Sequence, residues 1–239
     1  VINMINDAYG QFIDMGVDAF RVDTVKHINR MIFNKYFCPA LHKKGQENGK
    51  KFYMFGEVCT RVHDVWNKGV YSLSTPFYTW KERKEVSGSL EEQVKALYEW
   101  ENAQSNQPTS DNAFLKGNSY HIPDYTKSSG FNVIDFPMHW NFSDAPSAFN
   151  FASNSSNDST YNDSTWNVVY VDSHDYGPNS MCRYSGGTLA WAENMSLMWT
   201  FRGIPCLYYG SEVEFMKGAV IDNGAPPLSV TGRAYYGDY

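Results

Sequence analysis

The chain has 239 residues, enough for one domain with a large core, and its 42% hydrophobic and 19% charged residues are ordinary for a globular protein. A formal net charge of −6, without any run of Lys or Arg, argues against nucleic acid as a partner, and no apolar stretch approaches the roughly 18 residues of a membrane-spanning helix. The excess lies in aromatic residues, at 16%, and surplus rings suit stacking on the flat apolar faces of a neutral partner such as a sugar.

The chain opens on Val1 inside a helical pattern, INDAYGQFIDMG at 5–16, and is expected to be a piece of a longer sequence. A strand is predicted over 17–22, where Val17, Ala19, Phe20 and Val22 read as buried. Apolar residues at helical spacing, Ile28, Ile32, Phe33, Tyr36 and Phe37, then predict a helix that stops at Gly45. KFYMFGEV (51–58) is the second strand. An irregular stretch follows, holding a polar helix over 89–104 that Ser89 opens with Glu92 three residues on, the spacing of a capping box. FNVIDFP (131–137) reads as the third strand, the Asn/Ser-rich 150–167 as a surface loop, and WNVVYVDSHD (166–175) as the fourth strand. A strong helix over 188–203 leads to the fifth strand, IPCLYYG (204–210). Cys38, Cys59, Cys182 and Cys206 lie far apart with no CxxC, which disfavours a metal cluster or a disulfide framework; Cys59 and Cys206, beside apolar strands, are expected to be reduced core residues.

Alternating strands and helices, with strands read as buried on both faces, predict a parallel sheet covered by helices. An open doubly wound sheet and a (β/α)8 barrel compete. No GxGxxG or P-loop marks a nucleotide site, and polar residues gather at the C-terminal ends of several strands, where barrel enzymes build their sites, so the barrel is favoured. Those ends carry Arg21 and Asp23, then Glu57, then Asp172, His174 and Asp175. Singly, Asp23 suits a helix cap, Glu57 a Lys pair and His174 a core position. Jointly, several acids with one Arg are not neutralised by simple pairing.

Two carboxylates facing one bond are the equipment of glycoside hydrolysis: one ionised acid attacks the anomeric carbon and one protonated acid serves the leaving oxygen. Arg21, on the same strand face, would hold Asp23 ionised as the nucleophile. The apolar approach to Glu57 through Phe52, Tyr53, Met54, Phe55 and Gly56 suits a carboxyl kept protonated as the acid. Asp175 remains to bind sugar hydroxyls and oppose the positive charge of the transition state. Trp140 and Tyr176 are candidate stacking platforms.

GVDAFRVDTVKH, FGEV and VDSHD resemble, in order and spacing, three short regions shared by the α-amylase family of glycoside hydrolases, and GIPCLYYGSE resembles that family's strand-eight segment. The resemblance implies an α/β fold, a partial (β/α)8 TIM barrel in which residues 1–239 supply barrel strands four to eight of the catalytic domain. The first three strands with their Asp-x-x-x-Asn-His region, the domain inserted after strand three and the C-terminal β-sandwich would then be absent. It implies Asp23 as nucleophile, Glu57 as general acid/base and Asp175 as transition-state stabiliser. Arg21 and His174 match supporting and sugar-binding positions, and Lys26 and His27 match positions that contact sugar on the leaving-group side. The implied activity is retaining hydrolysis of α-1,4-glucans such as starch or maltodextrin. Alternatives are another α-glucan enzyme of the family (α-1,6-active, cyclodextrin-degrading or glucosyl-transferring), a non-catalytic carbohydrate-binding or transporter-associated relative, or an unrelated carboxylate-using barrel. Calcium is possible in the full-length protein and not supported by this chain, because the family's common site draws on the absent region as well as on the backbone near His27. An extracellular or cell-surface location is favoured by the same resemblance. Alone, with open strand edges, residues 1–239 are expected to be poorly soluble and inactive.

Overall fold

The computed structural model describes residues 1–59, 76–82, 84–103, 126, 128–153, 166–175, 177–178 and 180–221, and these fall in two compact units. The first comprises Val1–Ile134 with Asp158–Asn167, the second Asp135–Asn157 with Val168–Tyr239. Among the described residues no helix is long and apolar enough to cross a membrane.

In the first unit α1 (Ile2–Asp14) leads into β1 (Ala19–Val22). A 3-10 turn, Val25–His27, then precedes α2 (Arg30–Ile32), whose start is capped by the Asn29 side chain accepting from the Met31 amide at 2.9 Å. The helix continues through a π-helical stretch, Phe33–Phe37, into α3 (Cys38–Glu47). Apolar spacing alone does not announce that stretch. Pro39 explains it: proline has no N–H to donate and crowds the carbonyl four residues back, and a wider turn just before it relieves both. Then come β2 (Tyr53–Gly56), α4 (Pro76–Thr79), α5 (Leu90–Ala103) and β3 (Asn132–Val133). The capping box at α5 is formed: the Ser89 amide donates to Glu92 Oε2 at 2.7 Å and the Glu92 amide to Ser89 Oγ at 3.3 Å.

The three strands form a parallel sheet, order β1-β2-β3, with Phe20 opposite Met54, Arg21 opposite Phe55, Val22 opposite Gly56, and Phe55 opposite Asn132. Its two faces differ. Phe20, Val22 and Met54 join Ile13, Phe37, Leu41, Phe52 and Val133 in one apolar core. Arg21 on the other face is exposed, while Tyr53, Phe55 and Asn132 are half-buried. Burial on both faces therefore does not hold for β1, which among the described residues alternates exposed and half-buried positions, its apolar face packed on the helices.

In the second unit α6 (Phe136–His139) and α7 (Ala145–Ser153) precede β4 (Val168–Val169), α8 (Thr188–Thr200) and β5 (Ile204–Pro205). β4 and β5 are parallel, Val168 opposite Ile204, and both residues of β4 are buried. The third strand stops earlier than 137 because Asp135 leaves the sheet to cap α6, accepting from the Met138 amide at 3.1 Å, with Pro137 in the helix's first turn. Asp135 is fully buried and paired with Arg202 at 3.4 Å. Most of the Asn/Ser-rich loop lies outside the described residues; its first residues, 150–153, finish α7. No cysteine is in a disulfide, and the core cysteine is Cys38, not the expected pair: Cys59 is half-buried and Cys206 exposed, each lying past the end of its short strand.

Candidate active site

β1 and β2 carry their polar residues one step past the sheet. Asp23 and Glu57 each follow a member of the last registered pair, Val22 and Gly56, so they leave adjacent parallel strands side by side. The Glu57 amide donates to Val22 O at 2.9 Å and the Val25 amide donates to Glu57 O at 3.1 Å, which extends the strand pairing around Asp23. Gly56 has a physical reason to be glycine: a Cβ there would collide with the Phe131 ring and with Val25 Cγ2, so β2 lies flat against both and carries Glu57 with it.

Arg21 Nη1 pairs with Asp23 Oδ1 at 2.8 Å, with side-chain exposures of 34% and 60%. Asp23 thus turns to the cation on its own strand, and the following helix takes its cap from Asn29. Glu57 is half-buried. Its charge lies near the phenol of Tyr78, which burial first, and then the charges of Glu101 and Glu57, hold in the neutral form. In the 3-10 turn Lys26 is half-buried and His27 exposed.

Behind this corner is a buried ionic group that local sequence patterns do not announce. Arg30, 3% exposed, donates from Nη1 to Glu82 at 2.6 Å and from Nε to Glu101 at 3.1 Å, and lies 5.9 Å from the Trp100 ring centroid. Asn34 donates to Trp80 O at 2.6 Å and accepts from the Glu82 amide at 3.0 Å. These contacts fasten the segment around 78–82 and helix α5 to the helix that follows the strand end. Burial raises the pKa of Glu101 against the pull of Arg30.

In the second unit, His174 Nε2 lies 3.2 Å from Asp175 Oδ2, and the Asp175 amide donates to Ser173 Oγ at 3.1 Å. His174 is exposed and Asp175 half-buried, so His174 is not a core histidine. Asp172, which the sequence groups with them, is a different residue physically. It is 4% exposed, accepts from Ser211 Oγ at 2.5 Å and from the Tyr184 amide at 3.4 Å, and faces Arg183 Nε at 4.0 Å. Burial raises its pKa while Ser211 and Arg183 oppose the rise. Arg183 in turn donates to Phe215 O at 2.8 Å and Tyr209 O at 2.7 Å, so this pair ties the end of β4 to the segment after β5. Trp140 is half-buried against Phe136, ring centroids 5.5 Å apart, and Tyr176 lies outside the described residues.

Among the described residues no group of three or more His, Cys, Asp or Glu is placed to hold a metal ion.

A model of the alpha-amylase catalytic domain matches residues 1–226. The chain belongs to the alpha-amylase family. One relative is cyclomaltodextrin glucanotransferase of Bacillus sp. (strain 1011), 26% identical over 237 residues that make up 97% of this chain and 25% of that protein. One solved structure is the cyclic alpha-maltosyl-(1→6)-maltose hydrolase from Arthrobacter globiformis in complex with cyclic alpha-maltosyl-(1→6)-maltose. It matches 96% of this chain and 38% of its own with a TM-score of 0.50; at 13% identity the likeness bears on the fold alone. The chain therefore spans a quarter of the length of the curated relative and well under half of the structural one.

Proposed function

We propose that residues 1–239 form barrel strands four to eight of a (β/α)8 catalytic domain, and that the protein is a retaining glycoside hydrolase acting on α-1,4-glucans such as starch or maltodextrin. The observation that carries this reading is the placement of Asp23 and Glu57, one residue beyond Val22 and Gly56 on neighbouring parallel strands. Such strands lie about 4.8 Å apart. Retaining enzymes hold their two carboxyl groups about 5–5.5 Å apart, whereas inverting enzymes leave room for a water between them.

In this reading an Asp23 oxygen attacks the anomeric carbon as the glycosidic C–O bond breaks, and the Glu57 carboxyl gives its proton to the departing oxygen. A glycosyl ester on Asp23 and a shortened glucan result. Glu57, now ionised, takes a proton from water as the water oxygen attacks the same carbon and frees Asp23, so two inversions restore the configuration. Arg21, 2.8 Å from Asp23, pairs with the nucleophile and orients its carboxylate. Asp175 and His174 hold sugar hydroxyls, Asp175 opposing the ring's positive charge, and Lys26 and His27 contact the sugar on the leaving side. The location proposed is extracellular or at the cell surface.

Transfer to a sugar hydroxyl in place of water is a second reading, favoured by the 26% identity to a glucanotransferase. Both share the ester. Quenching a Glu57→Gln variant of the full-length protein with an α-glucosyl fluoride, whose leaving group needs little acid help, should show a hexosyl adduct on the peptide carrying Asp23. An adduct elsewhere, or turnover with none, would remove Asp23 from its role.

A further inference from the structure

Between Asp23 and the 3-10 turn the backbone is strained. Thr24 has φ 46° and ψ 38°, in the left-handed region. For a β-branched residue this is a true outlier, and it persists only where its surroundings over-determine it. Those surroundings are identifiable. Glu57 binds the chain on both sides of the corner, through its amide to Val22 O at 2.9 Å and through its carbonyl to the Val25 amide at 3.1 Å, and the His27 amide closes the turn onto Thr24 O at 3.0 Å. Val25 is fully buried and packed against Gly56, so the far side of the corner is fixed too. Thr24 itself is exposed and its side chain caps nothing, so neither packing nor capping accounts for a β-branched residue where glycine or asparagine sits without strain.

We propose that Thr24 is a positioning residue whose narrow left-handed conformation, closed between two hydrogen bonds to the Glu57 peptide, aims the Asp23 side chain relative to Glu57. The geometry is that of a short closed loop. With Val22 O and Val25 N both held by Glu57, only Asp23 and Thr24 are left to adjust, so restricting Thr24 restricts the dihedrals of Asp23 and the direction of its Cα–Cβ bond. A β-branched side chain leaves little of the left-handed region open to the backbone. This inference rests on the reading of Asp23 and Glu57 as the reacting pair.

The test compares Thr24→Gly, Thr24→Asn and Asp23→Asn in the full-length protein on a maltooligosaccharide. Thr24→Gly relieves the strain and removes no buried contact, so its Tm should hold or rise, while kcat falls on the order of 10- to 100-fold with KM little changed, the effect of a misplaced reacting group. Thr24→Asn, at ease in the same conformation but still bearing a Cβ, should keep most of the rate. Crystal structures should show one Asp23 conformer in the wild type and a spread of them in Thr24→Gly. Wild-type kcat in Thr24→Gly, a kcat loss that merely follows a lowered Tm, or one unchanged Asp23 conformer in both structures overturns the inference. If Asp23→Asn is dead in the same assay, the reading of the pair survives that failure; if Asp23→Asn is active, the reading itself fails.

Discussion

The strand ends of the two units divide their charges in the same way. In the first, Asp23 stands largely in solvent with Arg21, while Arg30 holds Glu82 and Glu101 in the interior. In the second, Asp175 and His174 lie at the surface, while Asp172, three residues earlier, is locked among Ser211, Tyr184 and Arg183. Burial therefore separates two kinds of acid that look alike as letters. An accessible carboxylate at a strand end retains the freedom to react; a buried one with an arginine holds the strand end in place, because an uncompensated interior charge is costly.

Substitutions that respect charge or remove it should separate these classes. The largest effect belongs to the accessible acids. Asp23→Asn and Glu57→Gln should each lower kcat by about a thousandfold or more in steady-state assays with natural substrate, because groups acting as a unit fail together. Tm should stay close to wild type in Asp23→Asn, whose side chain is 60% exposed. A large Tm loss there would move Asp23 into the structural class.

Arg30→Met should act in the opposite sense, as a stability variant. It leaves buried Glu82 and half-buried Glu101 without their cation and should cost about 3–5 kcal/mol in denaturant unfolding. Replacing Arg30, Glu82 and Glu101 together by apolar residues of similar size should recover most of that loss. If the single variant is neutral, the triad does not fasten the corner.

The second unit adds a pH dependence. His139 is fully buried beside Tyr170 O, and burial pushes its pKa from 6.5 down to about 4. A folded-state value below the unfolded one means stability that is present above pH 6.5 and lost as pH falls through 6.5 towards 4, by about 3 kcal/mol in total. His139→Gln should flatten the acid limb of a Tm-against-pH curve over that window. An unchanged slope would place the proton elsewhere. The smallest effect is expected at Gly56→Ala, where the added methyl must displace Phe131 or Val25 at about 1–3 kcal/mol, and lower kcat through the displaced Glu57.

The order of strands and helices was readable because each rests on local period and local punctuation; the Ser89–Glu92 capping box is an example, three residues wide and formed as expected. Asp23 and Glu57 were readable because each stands one residue past the end of a strand, whereas Asp175 lies six residues past β4. What escaped depends on pairs distant in sequence. Arg30 meets Glu82 and Glu101 across 52 and 71 residues, and nothing near Arg30 announces either partner. Asp172 was grouped with Asp175 because only tertiary contacts, Ser211 at 39 residues' distance and Arg183, reveal its burial. The early end of the third strand came from the Asp135 cap outcompeting an apolar run that reads equally well as strand.

The Asp23–Glu57 pair is the centre of the account, and the configuration of the first product tests it most directly. Proton NMR of the full-length protein acting on a maltooligosaccharide, followed before mutarotation sets in, should show the newly released reducing end as the α anomer, the outcome of two displacements through Asp23. A β anomer as the primary product would mean a single displacement by water, and the adjacent-strand pair would not act as nucleophile and acid.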